Sequence, residues 1–321
     1  MRIAVTGSIA TDHLMTFPGR FADQLIADKL HKVSLSFLVT DLEIRRGGVA
    51  ANIAFGLGCV GLEPLLVGTV GSDFADYRRW LEDHGVDTSM VRESSRFHTA
   101  RFVGTTDADL NQIASFYPGA MSEDVSLDLS GLAGVADVVL IGAGDPSAMA
   151  SLTKQCRETH IPFAADTSQQ LAVLSGDQIQ DLVTGAAYLF SNEYEASLTE
   201  HKTGWSADDV ISRVGARVTT LGAHGARVDR KGEDPVIVGP VKDVHPADPT
   251  GTGDAFRAGF LAGVAWGLTV ERSAQLGNLP AVHALETTGP QDYTLKPVEL
   301  LGRCAASYGQ DAAEELGKHV N

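Results

Sequence analysis

The stretch Asp248-Pro249-Thr250-Gly251-Thr252-Gly253-Asp254-Ala255-Phe256 sets a short glycine loop and a carboxylate directly before a helix-forming run, Arg257 to Gly263. Gly251 and Gly253 let backbone N–H groups converge on an anion at a helix N-terminus, where the macrodipole also favours negative charge. Asp254 then stands beside that anion and can accept a proton from an attacking hydroxyl. An anion cradle beside a base is what transfer of a phosphoryl group to an alcohol requires. The same letters also describe a plain helix cap after a tight turn, Asp being a favoured cap, so the other residues must decide.

Four further groups stand where a ligand would need them. Gly47-Gly48 precedes a helical segment that carries Asn52 one turn in. Paired glycines let backbone approach a ligand closely, and an amide offers donors and an acceptor to a sugar diol; a helix-start glycine with a solvent-facing Asn fits equally. Gly7-Ser8-Ile9-Ala10-Thr11-Asp12 follows the first apolar run, the kind of strand end beside which open α/β sheets bind ligands. Asp12 is there a candidate acceptor for ribose hydroxyls, or a capping Asp in a turn. Asn192 and Glu195, spaced i,i+3, share one face of a helix's first turn and could hold Mg²⁺ through water. A capping box explains that pair without any metal. In Val218–Ala226, Thr219 or Thr220 could touch phosphate, and Gly222 with Gly225 make a nucleotide-facing loop or an ordinary β-turn; His224 is expected on the loop surface.

Short β-rich runs alternating with helix-like segments predict an α/β fold, a mostly parallel sheet with helices on both faces. Strands are expected at Ile3–Ser8, Glu63–Val70, Val138–Gly142, Phe163–Asp166, Ala187–Ser191, Arg217–Leu221 and Ala226–Asp229. Helices are expected at Val49–Val60, Phe74–Asp83, Asp145–Thr159, Gly176–Val183, Glu193–Thr199, Ala255–Trp266 and Leu268–Leu285, with one or two closing helices over Pro297–Leu316. Two segments break the rhythm with alternating patterns: Val33–Val39, and Thr99–Thr106 followed by a turn at Asp107–Asp109 and Gln112–Phe116. Alternation suits an antiparallel sheet with one wet face. Residues 14–46 and 97–116 are therefore expected to form a small β-sheet lid, inserted into an α/β body made of 1–13, 47–96 and 117–321.

Among the 321 residues, 44% hydrophobic and 21% charged content is that of a globular protein with a full core. A formal net charge of −16 argues against nucleic acid and against an anionic membrane surface, since no basic stripe exists to displace counterions. It does not exclude ATP. Cys59, Cys156 and Cys304 are widely spaced, with no CxxC pair; neither a disulfide framework nor structural zinc is indicated, and a reducing cytoplasm fits. The opening Met1–Ala10 run is too brief for a signal peptide's apolar core, and no run reaches the roughly 20 residues of a membrane helix. No P-loop, protein-kinase set or G-x-S-x-G elbow occurs.

Taken in order, Gly47-Gly48 with Asn52, Asn192 with Glu195, and Gly251-Thr252-Gly253-Asp254 resemble the motifs of the ribokinase-like (PfkB) carbohydrate and nucleoside kinases across essentially the whole chain. RRGGVAANIAF, QIASFYPGAM, FAADTSQQLA and DPTGTGDAFRAGFLAG are similar to the actinobacterial adenosine kinases of that superfamily. Pro249 and Thr252 depart from its common D-T-x-G-A-G-D form. The resemblance implies ATP-dependent phosphorylation of adenosine to AMP, with Mg²⁺, in purine salvage. It makes Asp254 the base and Gly251, Thr252 and Gly253 its anion hole. It places Ser8, Asp12, Gly48 and Asn52 on the ribose, Phe102 and Phe116 on either side of the adenine, and Ser36 and Gln170 near the base. Asn192, Thr220, Gly222, Gly225, Gly251 and Gly253 would face ATP. Asp248 and Thr250, with backbone near Gly289, resemble the monovalent-cation site that makes many relatives K⁺-responsive. A homodimer through the lid sheet is implied as well. The rival readings are a sugar kinase, a nucleoside kinase of broader range, a non-catalytic nucleoside-binding or regulatory relative, and a purely structural subunit; the last two would have no need of an intact Gly251–Asp254.

Overall fold

The computed structural model describes residues 1–25, 28, 32 and 34–320. In chain order the elements are β1 Ile3–Thr6, β2 Ala10–Thr16, α1 Phe21–Gln24, β3 Asp41–Gly47, α2 Val49–Cys59, β4 Leu65–Val70, α3 Ala75–Asp83 and β5 Asp87–Glu93. Then come β6 Ala100–Thr106, β7 Gln112–Tyr117, β8 Val138–Ile141, α4 Pro146–Thr159, β9 Phe163–Asp166, α5 Gly176–Val183, β10 Tyr188–Asn192, α6 Glu193–Thr203 and α7 Ala207–Ile211. The chain closes with β11 Ala216–Thr220, β12 Ala226–Asp229, β13 Val236–Val238, α8 Thr252–Ala265, α9 Val270–Leu285, α10 Pro297–Tyr308 and α11 Gln310–Leu316.

A nine-stranded sheet runs β13-β12-β11-β10-β9-β8-β1-β4-β5 and is parallel except at β12 and β13. Alternate residues of its central strands feed two separate cores. Ile3, Val5, Val138 and Leu140 pack with α2, α8 and α9, while Ala4, Val139 and Ile141 pack with α4 and α5. Strands buried on both faces carry continuous apolar runs, which is why all seven strands expected from the sequence are present with ends displaced by a residue or two. The missed β5 and β13 lie at the sheet's two edges, where solvent on one side dilutes the apolar signal. Two helices, broken at Gly309, close the chain. Among the described residues no helix is long and apolar enough to cross a membrane.

A second sheet of four strands runs β3-β2-β6-β7. It corrects two expectations. Residues 34–39 form no regular structure, the strand lying instead at Asp41–Gly47, and Val33 falls outside the described residues. The sheet is also mixed, because β2 pairs with β6 in parallel. Its first strand begins at Ala10, so the anticipated boundary between 13 and 14 falls inside β2.

Candidate active site

Chain order reverses beside β1, with β4 and β5 on one side and β8 onward on the other, and such a switch point opens a crevice at the strand C-termini. A cavity of about 700 Å³ occupies it, walled by Ser8 after β1, Ala143 and Gly144 after β8, and the inner face of the four-stranded sheet. Register fixes that face: Asp12 pairs with Arg45 and with Phe102, and Phe102 with Phe116. All four side chains line the cavity, with Gly48, Asn52 and Gln170. Asp12 makes no hydrogen bond to a described residue and remains an open acceptor; burial raises its pKa, while Arg45 opposes the rise. Gln112 and Gln169 also line this chamber and were not anticipated. Ser36 is exposed in the irregular 34–39 segment and is not among the lining residues.

Local geometry explains the glycine pair. Gly48 has φ 95° and would set a Cβ 2.5 Å from the Ser8 carbonyl oxygen, so a side chain there is excluded twice over. Ser8 in turn caps α2, its Oγ accepting from the N–H of Val49 at 2.9 Å. Asn52 is buried one turn in. Its Oδ1 accepts from Nε2 of buried Gln291 at 2.9 Å, and its Nδ2 donates to Oδ2 of Asp254 at 2.8 Å. Gln291 also donates to the Tyr77 hydroxyl, which donates to the Gly47 carbonyl at 2.9 Å. A chain of side chains thus runs from the glycine pair to Asp254, and nothing in the spacing of Tyr77 and Gln291 announced it.

A second cavity, also about 700 Å³, lies past Asp254 and is lined by Asn192, Glu195, Thr220, Gly251, Gly253 and Arg257. Helix α8 starts at Thr252, three residues before the expected Ala255, so Asp254 belongs to its first turn. The first intrahelical bond is Ala255 N–H to the Gly251 carbonyl. Helix geometry therefore leaves the Gly253 and Asp254 N–H groups aimed past the helix end. Gly251 has φ 77° and lies against Pro290. Gly222, Gly225 and Thr252 line a third, mostly apolar cavity of about 520 Å³ between the β11–β12 hairpin and α9, and the Thr252 hydroxyl is buried there without a partner among the described residues. The residues expected around ATP are therefore divided between two adjoining spaces.

Asn192 and Glu195 form a full capping box at α6: Glu195 N–H donates to Asn192 Oδ1, and Asn192 N–H to Glu195 Oε2, each at 2.8 Å. The arrangement is compatible with a hydrated Mg²⁺, because Glu195 lines the cavity and burial raises its pKa against the opposing Asn192 N–H and Arg257. Asp254 is pushed up to about 7, chiefly by burial, with Arg257 and the Asn52 amide pulling the other way and Asp166 and Glu195 adding to the rise. That lies well above the ordinary carboxylate value of 3.8. Arg257 was missed as a site residue although a charge inside AFRAGFLAG was its visible signal. It is buried; its Nε lies 2.5 Å from Asp166 Oδ2, its Nη2 donates to Asp166 Oδ1 at 2.8 Å, and its Nη1 donates to the Gly253 carbonyl at 2.9 Å.

Comparison with known proteins agrees with this architecture. The nucleoside kinase of Burkholderia thailandensis, solved with inosine, superposes with a TM-score of 0.84 at 32% identity, over 96% of this chain and 99% of that one. The nucleoside kinase of Methanocaldococcus jannaschii is 28% identical over 90% of this chain and 92% of its own length. Bacillus subtilis ribokinase is 25% identical over 90% and 94%. The model of the pfkB family carbohydrate kinases matches residues 9–296. The chain belongs to the pfkB family of carbohydrate kinases.

Proposed function

We propose that the protein is an ATP-dependent nucleoside kinase that phosphorylates the 5′-hydroxyl of purine ribonucleosides, adenosine and inosine among them. The observation that carries this reading is the 2.8 Å hydrogen bond between Asn52 and Asp254. Asn52 walls one cavity and Asp254 the other, so the two spaces meet at an amide, a carboxylate and the N-terminus of α8. A hydroxyl held there by Asn52 loses its proton to Asp254 as it attacks phosphorus in line. The N–H groups of Gly253 and Asp254 meet the charge that develops on the transferring group. Glu195, through water, would hold the Mg²⁺ that accompanies ATP, and that ion supplies neutralisation of phosphate charge. Asn192 and Thr220 flank the phosphates, and the apolar space beside Gly222 and Gly225 suits the ATP base. Salvage of nucleosides with ATP is a cytoplasmic task.

Asp12, which lines the chamber with Gly48 and makes no hydrogen bond to a described residue, suits a ribose diol. Phe102 and Phe116 offer ring faces to a base, Phe116 being half exposed when nothing covers it. Gln170, with Gln112 and Gln169, can donate or accept at a purine edge. Such amides accommodate both a 6-amino and a 6-oxo group, which favours a range wider than adenosine alone. Stacking on an aromatic side chain contributes about 1–3 kcal/mol per base. Phe102→Ala and Phe116→Ala are therefore expected to raise KM for adenosine and inosine about tenfold or more, leaving any ribose turnover unchanged. Steady-state kinetics checks this; equal losses on nucleoside and ribose would refute base stacking.

The outer face of the four-stranded sheet supports the proposal of a homodimer. Register puts Leu42, Ile44, Ile113 and Tyr117 together on the side opposite Asp12 and Phe102, and each is 40–59% exposed. Ile44→Glu is expected to convert a dimer to a monomer in sedimentation, with the fold intact by circular dichroism. A wild-type monomer at micromolar concentration would contradict the assignment.

A further inference from the structure

The family resemblance places a monovalent cation at Asp248 and Thr250, but the carboxylate of Asp248 already has a cation. Its Oδ2 accepts from Nη1 of Arg45 at 3.1 Å and from the Gly289 N–H at 3.2 Å, and its Oδ1 accepts from the Thr250 N–H at 2.9 Å. The Arg45 and Asp248 side chains are 17% and 16% exposed. Glu43 grips the other edge of the guanidinium through Nε at 2.7 Å and Nη2 at 2.8 Å, which turns Nη1 toward Asp248. Glu43 is itself 51% exposed, so water screens its charge more than that of the inner pair. A K⁺ ion on the Asp248 carboxylate would lie within a few ångströms of a fixed positive charge and would share two oxygens that already accept from Arg45, Gly289 and Thr250. These residues do not fit a bound monovalent cation.

We propose that Arg45 is the built-in counter-ion of the loop leading into Gly251, and that catalysis by this protein is consequently independent of K⁺. Asp248 ties that loop to Gly289, and the adjoining Pro290 packs on Gly251; the carboxylate thus holds the backbone that aims the N–H groups at the start of α8. A charge on Asp248 without a partner would loosen this tie. Arg45 delivers its charge from β3, in register with Asp12, so the sheet that walls the acceptor cavity also supports the loop that would bind the transferring phosphoryl group. A monovalent cation would support the loop without that link.

The experiment follows ADP release by the full chain on whichever acceptor it turns over best, in KCl or choline chloride at fixed ionic strength. It also follows the thermal midpoint in both salts without substrate, a readout that stands even if the acceptor differs from the one proposed above. Wild type is expected to show the same turnover and the same midpoint in both. Arg45→Gln is expected to lose at least about fivefold in turnover in choline, the lower end of ordinary coupling between sites. K⁺ should restore part of that loss, with a K⁺-dependent rise in midpoint, while Arg45→Lys, which keeps the charge, should remain unresponsive to K⁺. Marked K⁺ activation of wild type would overturn the proposal. So would an Arg45→Gln variant that is fully active in choline, or one whose loss K⁺ does not repair. Should Arg45→Gln fail to fold, the responses of wild type and Arg45→Lys decide the matter alone.

Discussion

Asp254→Asn is expected to lower kcat by at least about 10², within or above the range typical of a positioned general base, while substrate binding changes little. Asn keeps the shape of Asp and can still meet Asn52, so the loss isolates the carboxylate's chemistry. Burial holds Asp254 at about 7, near the working pH, where a base combines correct protonation with useful proton affinity. In wild type, kcat/KM should therefore rise with pH through an apparent pKa near 7, and this limb should vanish in the variant. Stability should move the opposite way. A carboxyl whose folded pKa exceeds its unfolded value of 3.8 binds the extra proton in the folded state. Its contribution to stability is present below about pH 4 and is lost as pH rises through about 7. Asp254→Asn removes that loss, so the variant should melt higher than wild type at pH 8, and the two should converge near pH 4. Near-normal turnover in the variant would refute the role of base.

Arg257→Met is expected to be the most destabilising single change, about 3–5 kcal/mol, the usual cost of breaking a buried ion pair from one side. Asp166 is fully buried, and without Arg257 its charge would face no cation. Met fills much of the aliphatic volume, so the loss reports charge and hydrogen bonding more than a cavity. Activity at pH 7 should fall as well: Arg257 lowers the pKa of Asp254, and its removal should shift the acidic limb of kcat/KM to higher pH. Chemical denaturation and the pH profile measure the two effects separately. A variant as stable as wild type, with an unmoved limb, would show that the Arg257–Asp166 pair is incidental.

How far the sequence reached depended on burial and on sequence distance. Strands such as Phe163–Asp166, covered on both faces, announce themselves as apolar runs, and the helix after Gly48 follows its glycine and the Ser8 cap. The four-stranded sheet was harder, because β3 reads Asp-Leu-Glu-Ile-Arg-Arg-Gly, with Asp41, Glu43 and Arg45 on the face of Asp12 and Leu42, Ile44 and Arg46 on the other. Its neighbour Val33–Val39 carries the more regular alternation yet pairs with nothing in its described part. Asp254, Asn52 and Glu195 were legible because each stands beside a helix start with glycine or cap chemistry. Gln291, Tyr77, Asp166 and Arg45 were not, since each acts through a partner at least 30 residues away, and pairings of that kind exist only once the chain has folded. The pKa of Asp254 belongs to the same class: it is a property of what surrounds the carboxylate.

The central claim, that the chamber beside Asp254 takes a nucleoside, is tested most directly by comparing kcat/KM for adenosine, inosine, guanosine, cytidine, ribose and fructose, with Mg-ATP as donor and ADP release as the readout. Purine nucleosides are expected to lead, ahead of free ribose by at least about tenfold, as stacking of the base on Phe102 and Phe116 requires. Ribose or fructose turned over as well as, or better than, every nucleoside would contradict the account of that chamber.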